Sequence, residues 1–274
     1  MGSKRLDGKR VLVTGASRGI GAAVAHRAAA EGADVAIVAR TVNAEDAYLP
    51  GTLGDTADRL RTFGGRVVVV QADLADERDR ERVVREAEDG LGGQIDVLVN
   101  NAAVALYGTV ADYEFKRMRL MYELNCVAPL HLAQHVIPAM AERGEGWIVN
   151  ISSGTARHWD GPPFRLGGTG TKTTAYGASK AALNRVSNGL AAELHGTGIR
   201  VNTVEPRAAV MSEGAQDLGG DIVRPDQIEP MEAMVESIIA LCDCPADHTG
   251  RTHISLDLID ELGLTVHALD GTPA

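Results

Sequence analysis

Aromatic side chains are scarce in this chain: two tryptophans, three phenylalanines and five tyrosines make up 4% of 274 residues. With 45% hydrophobic content, the core is expected to be aliphatic, built from Ala, Val, Ile and Leu. Cysteine is nearly absent too. Cys126, Cys242 and Cys244 are an odd number in a long chain, which makes no disulfide framework and fits a non-secreted protein. Cys242-Asp243-Cys244 with His248 lacks a fourth convincing ligand, so no metal is expected. A net charge of -10, with no basic cluster, argues against nucleic acid and against an anionic membrane as partners. No apolar run approaches the roughly twenty residues that cross a bilayer. Met1 to Arg10 is polar and basic, unlike a secretory signal. The expectation is a soluble, cytoplasmic protein, ordered except at its ends.

What is present is an alternation. Apolar runs bounded by polar or glycine residues recur at Arg10 to Val13, Val35 to Ala39, Val67 to Gln71, Val97 to Val99, Trp147 to Ile151 and Arg200 to Val204, and each reads as a buried parallel strand. Between them lie stretches of helical length and period, such as Gly21 to Glu31, Asp76 to Leu91, Tyr113 to Arg143 and Ala175 to Leu194. Repeated βα units with right-handed crossovers predict an α/β fold: a doubly wound parallel sheet, helices on both faces, ligands at the carboxyl ends of the strands. One domain is expected over 1–274. Thr41 to Asp55 and Thr155 to Thr174 read as long loops. Arg207 to Pro230 reads as a lid over the site or as a surface insertion.

The first strand runs into Thr14-Gly15-Ala16-Ser17-Arg18-Gly19-Ile20-Gly21 and then an alanine-rich helix. Strand, glycine turn and helix stand in the order that dinucleotide binding needs. Gly15 allows the tight turn, Gly19 lets backbone approach a pyrophosphate, Gly21 allows close helix packing, and the helix N-terminus attracts the anion. Asp73 and Leu74 end the third strand where an adenine contact is expected. An NAD site holds the ribose with an acidic residue at the end of the second strand, but here that strand ends Val38-Ala39-Arg40-Thr41. Arg40, with Arg18 inside the turn, suits a 2′-phosphate, so NADP is expected rather than NAD. An ordinary glycine connection and two surface arginines are the plain alternative.

Tyr176-Gly177-Ala178-Ser179-Lys180 places a phenol and an ammonium four positions apart. On a helix, that spacing puts both on one face, one turn apart, where positive charge favours tyrosinate. The spacing alone also occurs on solvated helix faces. Joined to Thr14 to Gly21, Asn100-Asn101-Ala102-Ala103, Asn125 and Ile151-Ser152-Ser153, it resembles the short-chain dehydrogenase/reductase family, with the motifs in that family's order from about Lys9 to Gly250.

The resemblance implies a Rossmann-like domain with a seven-stranded parallel sheet, and a homodimer or homotetramer built on the long fourth and fifth helices. It also implies site roles. Tyr176 would be the general acid/base, Ser153 rather than Ser152 would hydrogen-bond the substrate oxygen, and Lys180 would hold the nicotinamide ribose. Asn125 would support a water-linked proton path, or would be a buried amide splicing two helical segments. Asn101 and Ala102 would line the adenosine side, and Pro206 and Ala209 would lie beside the nicotinamide. The implied activity is hydride transfer between NADP(H) and a small-molecule ketone or secondary alcohol, apolar in character, such as a steroid-, terpenoid- or xenobiotic-like compound. A 3-oxoacyl thioester reductase and a non-catalytic NADP-binding sensor are the alternatives.

Three departures from the family pattern stand out. Ser153 and Tyr176 are twenty-three positions apart, so a loop is inserted near 155–174, with Trp159, Pro162, Pro163 and Phe164 available for a substrate pocket or an oligomer contact. After Pro206 the chain reads Arg207-Ala208-Ala209-Val210-Met211-Ser212, without the usual glycine and threonine. The last strand is followed by Ser255-Leu256-Asp257-Leu258 and an extension over 258–274, expected to pack on a neighbouring subunit.

Overall fold

Parallel strands need partners on both faces, and the apolar runs of this chain supply them. The computed structural model describes residues 4–164, 170–207, 209–219 and 228–273. Its main sheet consists of β1 (Arg10–Thr14), β2 (Asp34–Ala39), β3 (Val67–Gln71), β4 (Val97–Asn100), β5 (Gly146–Ile151), β6 (Ile199–Glu205) and β9 (Thr252–Ile254). The strand order is β3-β2-β1-β4-β5-β6-β9, and every pairing is parallel. Side chains alternate between the faces. Val11, Val13, Val35, Ile37, Val97 and Val99 enter one core, while Leu12, Ala36, Val38 and Leu98 enter the other.

The helices α1 (Gly19–Ala30), α2 (Leu53–Arg61), α3 (Glu77–Leu91), α4 (Phe115–Tyr122), α5 (Ala128–Arg143), α6 (Thr174–Glu193), α7 (Glu213–Gly219), α8 (Met231–Leu241) and α9 (Ser255–Leu262) connect and cover the strands. Residues of α1, α2, α8 and α9 pack in the first core, and those of α3, α5 and α6 in the second. Local chemistry sets several ends. Asp76 caps α3 by accepting the Arg78 N–H at 2.9 Å, and Gly92 closes it at φ +73°.

The expected strands all form, and the seventh falls at Thr252–Ile254. Two readings need correction. The Thr41 to Asp55 loop stops early, because the Thr52 hydroxyl accepts the Asp55 N–H at 3.0 Å and starts α2 at Leu53. The Tyr113 to Arg143 helix is two helices, α4 and α5, joined by the π turn Glu123–Val127. The lid region holds β7 (Ala209–Val210), α7 and β8 (Ile228–Glu229), with β7 and β8 paired in parallel. Positions 208 and 220–227 of the lid, and 165–169 of the inserted loop, lie outside the described residues.

The tail makes contacts within its own chain. His26 Nδ1 lies 3.0 Å from Leu269 O, and the His267 N–H donates to Glu236 at 3.3 Å. Glu236 is buried and also accepts from Arg27 and Arg5, each at 3.0 Å. One carboxylate thus draws the start of the chain, α1, α8 and the tail together, which is how a buried charge is tolerated. Among the described residues, no helix is long and apolar enough to cross a membrane.

Candidate functional site

Strand order reverses between β1 and β4, and a doubly wound sheet opens a crevice at such a point. Here the turn after β1 meets the end of β4 at close range. The Thr14 hydroxyl accepts the N–H groups of Asn101 and Ala102, both at 3.0 Å, and donates to Val99 O at 3.4 Å. The Asn101 amide donates back to Thr14 O at 2.9 Å and to Gly15 O at 3.1 Å. Glycine is required by this approach. A Cβ on Gly15, at φ +65°, would lie 2.8 Å from Ala102 Cα, and one on Gly21 would lie 2.4 Å from both Gly15 O and Asn101 Nδ2.

Beside this turn lies a cavity of about 540 Å³, lined by Gly15, Ser17, Arg18, Arg40, Asp73, Leu74 and Ala102, among others. The structure therefore brings seven of the fifteen expected cofactor contacts to one place. Ile20 instead packs against the apolar core, and Asn101 acts on the turn. Arg40 is exposed on the cavity rim, and Arg18 reaches Gly51 O at 3.2 Å. Asp73 is tied locally, its carboxylate accepting the Ala75 N–H at 3.0 Å and its own N–H donating to Asp79 at 2.6 Å. The missing Cβ atoms leave the backbone open to a dinucleotide's pyrophosphate, and the two guanidinium groups are cationic partners for phosphate.

The second half of the site lies at the ends of β5 and β6, outside that cavity. Ser153 follows β5, and its hydroxyl accepts the Thr155 N–H at 3.2 Å and lies 2.9 Å from Thr155 Oγ1. It also lies near enough to the Tyr176 phenol to favour that group's ionised form. Ser152 is buried, and its hydroxyl finds no partner among the described residues. Lys180 is buried on α6 and donates to Ile151 O at 2.7 Å, which anchors α6 to the end of β5. Pro206 follows β6, where its carbonyl accepts from Arg157 at 3.4 Å, and Ala209 begins β7.

The electrostatics differ from the sequence expectation. Burial of the Tyr176 phenol pushes its pKa up from the ordinary value of 10.0, Tyr107 adds to this, and nearby Ser153 opposes it. The expected lowering is therefore not the net outcome in the free chain, because desolvation penalises tyrosinate more than its neighbours favour it. Lys180 is pushed down to about 8 by burial, against an opposing pull from Cys126.

Asn125 sits in the π turn with its amide fully engaged. It accepts the Val104 N–H at 2.8 Å and donates to Val104 O at 2.9 Å and to Ser179 Oγ at 3.0 Å. Ser179 in turn donates to Tyr176 O at 2.7 Å. The side chain thus links the loop after β4 to α6.

Three neighbours carried no sequence signal. Tyr107 stands edge-on to Tyr176, with ring centroids 5.8 Å apart. Arg157, in the inserted loop, pairs with buried Glu205 at the end of β6. Glu213 accepts the Gly19 N–H at 3.0 Å. Each is a long-range contact that no local spacing announces.

The family model described as short chain dehydrogenase matches residues 9–219. The chain is 34% identical to ketoacyl reductase HetN of Nostoc sp. over 201 residues, covering 73% of this chain and 63% of that protein. It is 32% identical to hydroxysteroid dehydrogenase-like protein 2 of Danio rerio over 262 residues, covering 95% and 60%. It thus spans less than two thirds of the length of these relatives. Among solved structures, L-sorbose reductase from Gluconobacter frateurii, complexed with NADPH and L-sorbose, superposes with a TM-score of 0.76 at 28% identity, covering 92% of this chain and 96% of that one.

The Thr14 hydroxyl holds the crevice shut from below, so Thr14→Val, which keeps the shape, should leave two N–H groups without an acceptor. The expected loss is about 1–3 kcal/mol per orphaned group, read by urea unfolding; unchanged stability would count against this role.

Proposed function

This chain belongs to the short-chain dehydrogenase family, and from that premise we propose that it is an NADP(H)-dependent oxidoreductase acting on an apolar ketone or secondary alcohol. The observation that carries the reading is the Tyr176 phenol beside Ser153, with buried Lys180 one turn further along α6. When bound, the nicotinamide supplies or accepts the hydride. In reduction, Tyr176 gives its proton to the carbonyl oxygen while Ser153 donates a hydrogen bond to the same oxygen and stabilises its developing charge. A phenol kept protonated by burial suits that task. Lys180 and the Ile151 carbonyl that it binds form the floor on which the nicotinamide ribose would be held.

Cofactor choice rests on Arg18 and Arg40, which line one cavity at the nucleotide end. A planar guanidinium pair recognises a 2′-phosphate, and the strand end that holds ribose in NAD sites carries no acidic residue here. The inserted loop offers exposed Trp159 and Phe164 for an apolar substrate. Exposed Val110, Phe115, Leu120 and Val127, on and beside α4, support assembly into a dimer or tetramer through that face. A 3-oxoacyl thioester reductase is the second reading, and the name of the Nostoc relative favours it. The net charge of -10 does not favour docking of an acidic carrier.

Tyr176→Phe should retain NADPH binding, followed by nucleotide fluorescence, and lose turnover by roughly 10²–10⁴-fold; unaffected turnover would remove this mechanism. For cofactor choice, wild type should prefer NADPH to NADH, and Arg40→Ala with Arg18→Ala should abolish the preference, with equal use by wild type as the contrary outcome. Lys180 carries its proton below about pH 8 and loses it above, so kcat/KM for reduction should fall as pH rises through that value. Lys180→Arg should move this limb to higher pH, and a limb that stays in place would assign it to another group.

A further inference from the structure

The opening N–H groups of an α-helix have no acceptor within their own turns. At α1 the N-cap residue, Arg18, makes no side-chain hydrogen bond to them. Gly19, the first residue of α1, nevertheless has its N–H satisfied by the Glu213 carboxylate at 3.0 Å. Glu213 reaches it from the first residue of α7, 194 positions along the chain. The approach is close: a Cβ on Gly19 would lie 2.9 Å from Ser212 Cβ and 3.7 Å from Glu213 Oε2. The segment carrying the carboxylate is itself braced, with the Ser212 hydroxyl accepting the Ala215 N–H at 3.2 Å and Ser212 O accepting the Gln216 N–H at 2.8 Å.

We propose that Glu213 sets the affinity for the dinucleotide by holding, with its own carboxylate, the Gly19 N–H that the pyrophosphate takes. The proposal rests on the dinucleotide reading above. Two anions compete for one donor at the mouth of a helix, and a carboxylate that stayed beside a bound pyrophosphate would repel it. Cofactor binding therefore has to move Glu213 aside. Space for that movement exists. Glu213, Ser212 and Gln216 line a second cavity of about 610 Å³, which shares Ser17 and Arg18 with the nucleotide cavity and also borders Gly19. A change of side-chain rotamer into this space frees the N–H without unfolding α1 or α7. Glu213 is thus a surrogate anion in the free chain and a brake on loading.

The test measures NADP⁺ binding by titration calorimetry to the full chain as wild type, Glu213→Gln and Glu213→Ala, with circular dichroism to verify that each is folded. Adenosine 2′-monophosphate, which carries the 2′-phosphate but no pyrophosphate, is titrated in parallel. The expected result is an NADP⁺ Kd lower by roughly tenfold or more in both variants, with adenosine 2′-monophosphate binding unchanged. An NADP⁺ Kd that is equal or higher in both variants, in a chain that still binds NADP⁺, overturns the role of Glu213 alone. A parallel gain for adenosine 2′-monophosphate overturns it as well, because the effect would then be general electrostatics rather than competition at Gly19. Absence of binding by both NADP⁺ and NAD⁺ to every form overturns the dinucleotide reading itself, and this inference with it.

Discussion

The carboxyl edge of the sheet depends on how closely the turn after β1 approaches the end of β4. Thr14 and Asn101 exchange hydrogen bonds across that gap, and the gap can be narrow only because Gly15 and Gly21 carry no Cβ. Backbone satisfaction and steric absence act together here: the same approach that pairs buried N–H groups leaves no room for side chains. A crevice walled by backbone follows, with α1 starting at its edge and the nucleotide cavity beside it. The arginines on its rim come from Ser17-Arg18 in the turn and from the residue after β2.

At the other end of the site, desolvation governs. Desolvation pushes the Lys180 ammonium and the Tyr176 phenol toward their neutral forms, so near neutral pH the phenol stays protonated while Lys180 keeps its charge and gives it up as pH passes about 8. Hydrogen bonds then decide what each group can do. Lys180 is held by Ile151 O, and the Asn125–Ser179 link fixes the backbone of Tyr176. The reactive hydroxyls are thereby placed by elements drawn from β5, α6 and the π turn, which is why a change in any one of these disturbs the others.

Much of this was legible in the chain. Strands buried on both faces are continuous apolar runs, so Val67 to Gln71 could be placed to the residue, and glycine positions marked the turn. What escaped did so for different reasons. α2 begins inside a segment that reads as a loop, because Pro50 and Gly51 outweigh the capping role of Thr52 until its partner Asp55 is seen. The π turn escaped because the apolar period runs on through it. Tyr107, Arg157 and Glu213 act on partners far away in sequence, and such contacts leave no periodic trace. Lys180 was recognised from its spacing to Tyr176, but the direction of its own shift depends on burial, which spacing does not report.

The π turn at Glu123–Val127 has a consequence for how this stretch can vary. Each residue of a helix advances about 100°, so one extra residue rotates all that precedes it by that angle relative to all that follows. α5 presents Leu132, Ala133, Val136 and Met140 to the sheet, whereas α4 buries Met121 alone and leaves Phe115 outside. The extra residue uncouples the phases of the two helices. The surface helix can be rotated, lengthened or re-faced by local insertion or deletion while α5 keeps its register on the sheet and Asn125 keeps its grip on Val104.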